Sequence, residues 1–177
     1  MSSDALPNGA RALWWYALAL AVIGLDQYTK GLASTELDYG RPVEVFFWFD
    51  LTLQHNTGAA FSFLSSAGGW QRWFFSGIAV VISAGLVIWL YRIPRNHFML
   101  ALALGLILGG AIGNLWDRLA LGYVVDFISV HYGGRYFPAF NIADSAITAG
   151  AGLMLLESFV NRPGKEEGDP VARGSDA

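Results

Sequence analysis

Apolar side chains fall into four long runs along the chain. They extend from Ala12 to Leu25, from Trp73 to Leu90, from Phe98 to Trp116, and from Ile142 to Val160. A membrane-spanning helix needs about 20 mostly apolar residues, with a range of 17–25. The last three runs meet that length, and the first reaches it by continuing past Asp26 to Lys30. The pattern predicts an all-α membrane protein, a bundle of four transmembrane helices over about 12–30, 73–90, 98–116 and 142–160. Arg11 ahead of the first run also suits a secretory signal peptide. The three later runs, and the lack of a clear small-x-small cleavage site, favour an uncleaved anchor.

Between the first two runs the period changes to two. From Val43 to Gln54, one face carries Val43, Val45, Phe47, Phe49, Leu51 and Leu53. The other carries Glu44, Phe46, Trp48, Asp50, Thr52 and Gln54. Alternation of this kind predicts a strand with the first face buried. A lone strand leaves its backbone groups unpaired in lipid, so it belongs to a small extracytoplasmic sheet at the membrane surface. Leu119–Phe140 mixes aromatic and glycine residues, and its periodicity fits a half-buried strand or an interfacial loop or helix equally well. Residues 1–161 read as one integral membrane unit, and 162–177, rich in Gly, Pro, Glu and Asp, as a disordered cytoplasmic tail.

Composition sharpens this picture. Of 177 residues, 54% are hydrophobic and 14% charged, against about 25% charged in soluble domains. The absence of cysteine removes disulfides, a thiol nucleophile and Cys-based metal sites. A net charge of −3 gives no support to nucleic-acid binding. Arg92 and Arg95 occupy a short turn, and Arg11 and the tail residues Arg162, Lys165 and Arg173 fall on the same side. Lys30, Arg41, Arg72, Arg118 and Arg135 make the raw count on the other side nearly equal, but Lys30 and Arg118 sit beside acids and the Lys30–Arg72 loop carries Glu36, Asp38, Glu44 and Asp50. By the positive-inside rule both termini are expected to be cytoplasmic, with Asp126 and Asp144 facing outward.

Those two acids are the candidate chemistry. Asp126 stands in Val124-Val-Asp126-Phe-Ile128, where apolar neighbours argue against free solvation and desolvation raises a carboxyl pKa. Asp144 follows Asn141 by three residues, as at a helix N-terminus where Asn caps and an acid suits the dipole. If the two converge they share a proton, one serving as base toward water and the other as acid. Asn114 inside an apolar helix needs a partner, and it either orients a carboxylate or bridges helices. Asp117 and Arg118 fit pairing with lipid headgroups or with each other. Asp26 and Lys30 at i,i+4 fit a structural salt bridge. His55-Asn56-Thr-Gly58-Ala-Ala60-Phe-Ser62 offers an amide and flexible backbone suited to an extended substrate. His-Glu-x-x-His and Gly-x-Ser-x-Gly patterns do not occur, leaving zincin and serine-hydrolase readings unsupported. The residues alone also admit a proton-coupled transporter or channel with aspartates as relay groups, or a structural membrane subunit.

Five segments in order resemble the lipoprotein signal peptidases (signal peptidase II). These are Asp26-Gln-Tyr-Thr-Lys30, Asn56-Thr-Gly-Ala-Ala-Phe-Ser62, Gly113-Asn114-Leu-Trp-Asp117-Arg118-Leu, Val125-Asp126-Phe-Ile, and Phe140-Asn141-Ile-Ala-Asp144-Ser. The resemblance implies a bacterial inner-membrane aspartic endopeptidase with four spans, a small extracytoplasmic sheet and both termini in the cytoplasm. Asp126 and Asp144 would be its dyad. Asn56, Asn114, Arg118 and Asn141 would bind substrate or position the dyad, and Asp26 and Lys30 would support the site from the first helix. The implied substrate is a prolipoprotein whose cysteine carries diacylglycerol, cut just before that cysteine. Membrane lipid is the expected surrounding, a monomer the expected state, and no metal or cofactor is called for.

Overall fold

The computed structural model describes residues 6–58 and 70–160. A 3-10 turn at Gly9–Arg11 leads into α1, Ala12–Glu36. Next come the strands β1 (Val43–Phe46) and β2 (Phe49–Asn56), and the helices α2 (Trp70–Arg92) and α3 (Phe98–Ala120). Strands β3 (Val124–Tyr132) and β4 (Arg135–Tyr136) precede α4, Ile142–Val160. Among the described residues three helices, α2, α3 and α4, are long and apolar enough to cross a membrane. α1 is the longest at 25 residues, about 37 Å at 1.5 Å per residue, but Asp26, Gln27 and Lys30 interrupt its apolar run.

The helices pack inside out relative to a soluble bundle. Large side chains such as Val81, Leu155 and Phe159 are exposed on outer faces, while many of the closest helix contacts are lined by glycine and alanine. Without a hydrophobic drive between helices in lipid, small residues permit the close approach that makes dispersion and polar contacts effective. α3 is the central helix, with α1, α2 and α4 all packed against it. Its Gly105, Gly109 and Gly113 recur every four residues and face α1. A Cβ at Gly109 would lie 2.7 Å from Val22 Cβ, and one at Gly113 would lie 2.7 Å from Asp26 Oδ2. On another side Gly110 meets Ala143 and Ile147 of α4, and Gly150 of α4 meets Ile107. This stripe lets the polar end of α1 reach the C-terminal turn of α3.

The strands form one antiparallel sheet in the order β1-β2-β3-β4. The single strand predicted over Val43–Gln54 is instead a hairpin that turns at Phe47-Trp48. The predicted buried face is corrected as well. Val43, Val45 and Phe47 are exposed, whereas Asp50 and Thr52 are buried alongside Leu53. Two features override the alternation: the turn reverses the chain, and a register irregularity between Leu51 and Gln54 shifts the remainder of β2. Asp50 meets His131 of β3 at 3.3 Å, and the exposed rings of Phe46 and Trp48 stack at 5.9 Å.

The Leu119–Phe140 stretch is a strand hairpin, not an interfacial helix. α3 ends as the amides of Leu121 and Gly122 bond to Asp117 O, with Gly122 at φ +90°. Gly133 and Gly134, at φ +56° and +77°, make the two-residue turn from β3 to β4, a conformation that favours glycine at both positions. Val124, Val125, Asp126 and Phe127 open β3 as a buried run. Their register, Gln54 opposite Asp126 and Asn56 opposite Val124, sets the end of β2 beside the acid.

Candidate active site

Asp126 is only 2% exposed and is held entirely by neutral amides. Asn141 Nδ2 donates to its Oδ1 at 2.8 Å, and Asn56 Nδ2 donates to its Oδ2 at 3.0 Å. Asn56 is fixed in turn by the amide of Gly58, which donates to Asn56 Oδ1 at 2.8 Å. Gly58 has φ +89°. The rest of the predicted segment, Ala59–Ser62, lies outside the described residues.

Asp144 sits in the first turn of α4, half-buried. The predicted cap is present: the Asp144 amide donates to Asn141 Oδ1 at 2.9 Å. In a reciprocal capping box the acid side chain would return to the cap residue's amide. Here the Asp144 carboxylate accepts at Oδ1 from Asn114 Nδ2 of α3, at 2.7 Å. Asn141 therefore touches both aspartates, donating from its amide nitrogen to the Asp126 carboxyl and accepting the Asp144 backbone N–H at its amide oxygen. It also donates to Asn114 Oδ1 and Val125 O, both at 3.2 Å. Asn141 has 0% exposure, so its orientation is fixed by these bonds.

Behind this layer lies an ion cluster larger than the sequence predicted. Lys30, 3% exposed, reaches Asp26 Oδ2 at 2.8 Å, Asp117 Oδ2 at 2.9 Å and Asn114 Oδ1 at 3.0 Å. The expected i,i+4 pair of Asp26 and Lys30 is present as one side of it. Asp26 also accepts the Ala143 amide at 2.8 Å, satisfying an open N–H at the start of α4. Asp117 points inward, away from the predicted headgroup or Arg118 pairing, and accepts the Val125 amide at 3.1 Å. Gln27 joins the two acids, 2.8 Å from Asp117 Oδ1 and 3.2 Å from Asp26 Oδ2. Arg118 bonds back to Asn114 O at 3.3 Å and lies 5.6 Å from the Phe75 ring centroid. Asp117 and Gln27 are the site-supporting residues that sequence reasoning missed. Asn114–Asp117 spacing of three, on the face that also carries Gly113, was the available signal.

All eight predicted residues thus gather at the sheet end of the bundle. Burial pushes the Asp126 carboxyl up from 3.8 to about 7. The hydrogen bond from Asn56 opposes the rise, the charge of Asp144 adds to it, and Asn141 and Lys30 oppose it more weakly. A carboxyl raised in this way can hold a proton near neutrality, as acid–base hydrolysis requires of one member of a carboxyl pair. A cleft of about 270 Å³ opens onto Asp126 between the end of β2 and Pro138-Ala139. At the other end of the bundle His97 Nδ1 and Glu157 Oε1 are 2.9 Å apart. Among the described residues no three His, Asp or Glu side chains form a metal-binding group.

Residues 18–160 match the family described as signal peptidase (SPase) II. A protein named lipoprotein signal peptidase from Acinetobacter baumannii is 56% identical over 147 residues, covering 83% of this chain and 84% of that protein. One of the same name from Pseudomonas putida is 53% identical over 172 residues, covering 94% of this chain and 99% of the other. A solved structure described as a bacterial membrane enzyme superposes with a TM-score of 0.75 at 33% identity, covering 84% of this chain and 94% of the other. A second of the same description gives 0.72 at 35% identity, covering 86% and 93%. None of these comparisons supports a transporter or channel.

Proposed function

This chain belongs to the signal peptidase II family and is a membrane-embedded protease of lipoprotein signal peptides, and we propose that Asp126 and Asp144 are its catalytic pair. The observation that carries the assignment is Asn141, whose one side-chain amide ties the two aspartates together, donating to Asp126 Oδ1 at 2.8 Å and accepting the Asp144 backbone N–H at 2.9 Å. Near neutral pH Asp126 holds the shared proton, and Asp144, oriented by Asn114 at the N-terminal turn of α4, is the base.

A water between the carboxyls loses a proton to Asp144 as its oxygen attacks the scissile carbonyl carbon. Asp126 protonates the carbonyl oxygen, giving a neutral gem-diol that the pair holds by hydrogen bonds, so that no full oxyanion develops. Collapse breaks the C–N bond as one diol hydroxyl returns a proton to Asp126 and Asp144 gives its proton to the leaving nitrogen, which departs as an amine. The signal peptide gains a carboxyl terminus and the mature chain a free amino terminus. Asn56, Asn114, Arg118 and Asn141 position the pair or the substrate backbone, with Lys30 and Asp26 holding them from behind.

The substrate we propose is a prolipoprotein bearing a diacylglyceryl cysteine, cut just before that residue. At about 0.8 kcal/mol per buried CH₂, its two acyl chains anchor the substrate in lipid, and the sheet brings the acids to the surface where the scissile bond lies. α1 is the fourth span of a monomeric unit comprising residues 1–161, with 162–177 as a tail, in the bacterial inner membrane. Both termini are cytoplasmic and the site is at the outer face. Purified protein in detergent, given a diacylglyceryl-modified precursor and the same precursor unmodified, should release one signal peptide from the modified form alone, ending at the residue before the cysteine. Cleavage elsewhere, or equal cleavage of both forms, refutes this substrate assignment.

A further inference from the structure

We propose that the cleft between the end of β2 and Pro138-Ala139 is a subsite for the residues immediately after the scissile bond, selecting hydrogen-bonding over apolar side chains. The inference rests on the protease reading above and extends it to a specificity that the dyad alone does not supply.

Placement comes first. Asp144 is tied to α3 through Asn114, on the helical side of the site. Asp126 belongs to the sheet and lines the cleft. A signal peptide lies along the helices, while the chain beyond the cut leaves the membrane. The part passing Asp126 on the sheet side is therefore the downstream part.

Chemistry comes second. Asn56 is committed to Asp126 and Gly58. Its neighbours in the cleft, Gln54, His55 and Thr57, are exposed, and among the described residues none of their side chains makes a hydrogen bond. His55 is nonetheless held in place, its ring 3.9 Å from that of Tyr123 and 4.8 Å from that of Tyr39. Stacking fixes the imidazole as a rigid platform whose edge nitrogens remain available. The cleft thus offers a neutral amide, an imidazole edge and a hydroxyl beside Asp126. A large apolar downstream residue covers these groups without pairing them, the situation in which polar sites discriminate most strongly.

The test uses two diacylglyceryl-modified precursors that share signal segment and cysteine but carry Ser-Asn or Leu-Leu after the cysteine. The parent enzyme is expected to favour Ser-Asn by about tenfold in kcat/KM. Gln54→Ala and His55→Phe, the latter keeping the stack but losing the ring nitrogens, should each reduce that preference to within about twofold, mainly through KM for the Ser-Asn substrate. A substitution two residues before the cysteine should shift parent and variants alike. Equal cleavage of both substrates by the parent, or an unchanged preference in both variants, overturns the subsite while leaving the protease assignment standing. No cleavage of either substrate by folded parent enzyme overturns both.

Discussion

Asp26 and Asp117 stand one layer behind Asp126 and Asp144, and the two pairs are bound in opposite ways. The rear pair shares a cation: Lys30 lies within 2.9 Å of both, and each also accepts a backbone amide, from Ala143 and from Val125. The front pair touches only neutral side-chain amides and the capped start of α4. A buried carboxylate with a cation and a backbone amide for partners ties elements together. A buried carboxyl given amides alone is free to hold or release a proton. Residue type is the same in all four positions, and the surroundings alone distinguish the proposed catalytic pair from the pair behind it.

The largest effect that would sharpen this contrast is expected at the front. Asp144→Asn should lower kcat by about 10³-fold or more with little change in KM, since the base is lost while Asn114 and Asn141 remain. Steady-state cleavage of the modified precursor measures both constants. At the rear, Lys30→Ala leaves two buried carboxylates without a cation and should cost about 3–5 kcal/mol of stability. Thermal unfolding in detergent would show this as a lowered midpoint, with partial activity at low temperature. An unchanged midpoint with abolished cleavage would instead move Lys30 into contact with the reacting groups.

Gly113→Ala attacks the approach of the two layers. Its new Cβ would stand 2.7 Å from Asp26 Oδ2, and overpacking of this kind costs about 1–3 kcal/mol. The unfolding midpoint should fall, though less than for Lys30→Ala. The mildest change is Asn56→Ala, best read from pH dependence. Asp126 at about 7 keeps its proton below that value, so cleavage should decline as pH rises through it. Asn56 favours the ionised form and lowers the pKa. Removing it raises the pKa, and the alkaline limb of the kcat/KM profile should move to higher pH. A shift to lower pH would contradict the role given to that hydrogen bond.

The front pair was legible in the sequence because an acid among Val, Phe and Ile has few bland explanations, and because Asn141 three residues before Asp144 announces a helix start. The three later spans were legible for the same reason, continuous apolar length. The rear pair was read less fully. Asp26 and Lys30 looked complete as an i,i+4 pair, and nothing local says that a glycine stripe on α3 brings Asp117 to the same ammonium. That information is in Gly105, Gly109 and Gly113, residues without side chains to attract notice. The sheet was misread where alternation met a turn. Phe47 and Trp48 continue the period of Val43 to Leu53, yet the chain reverses there, and exposed aromatics suit a membrane surface as well as a core. Periodicity reports two faces and does not say which one is covered.

The most direct test sets one member of each pair side by side, with cleavage of the diacylglyceryl precursor and thermal unfolding measured on the same preparations of Asp126→Asn and Asp117→Asn. Asp126→Asn should abolish cleavage while unfolding no earlier than the parent, because it removes a carboxyl that is disfavoured in its ionised form. Asp117→Asn should unfold several degrees earlier while retaining measurable cleavage when folded. Cleavage by folded Asp126→Asn at the parent rate would contradict the division of these four aspartates into a working pair and a supporting pair.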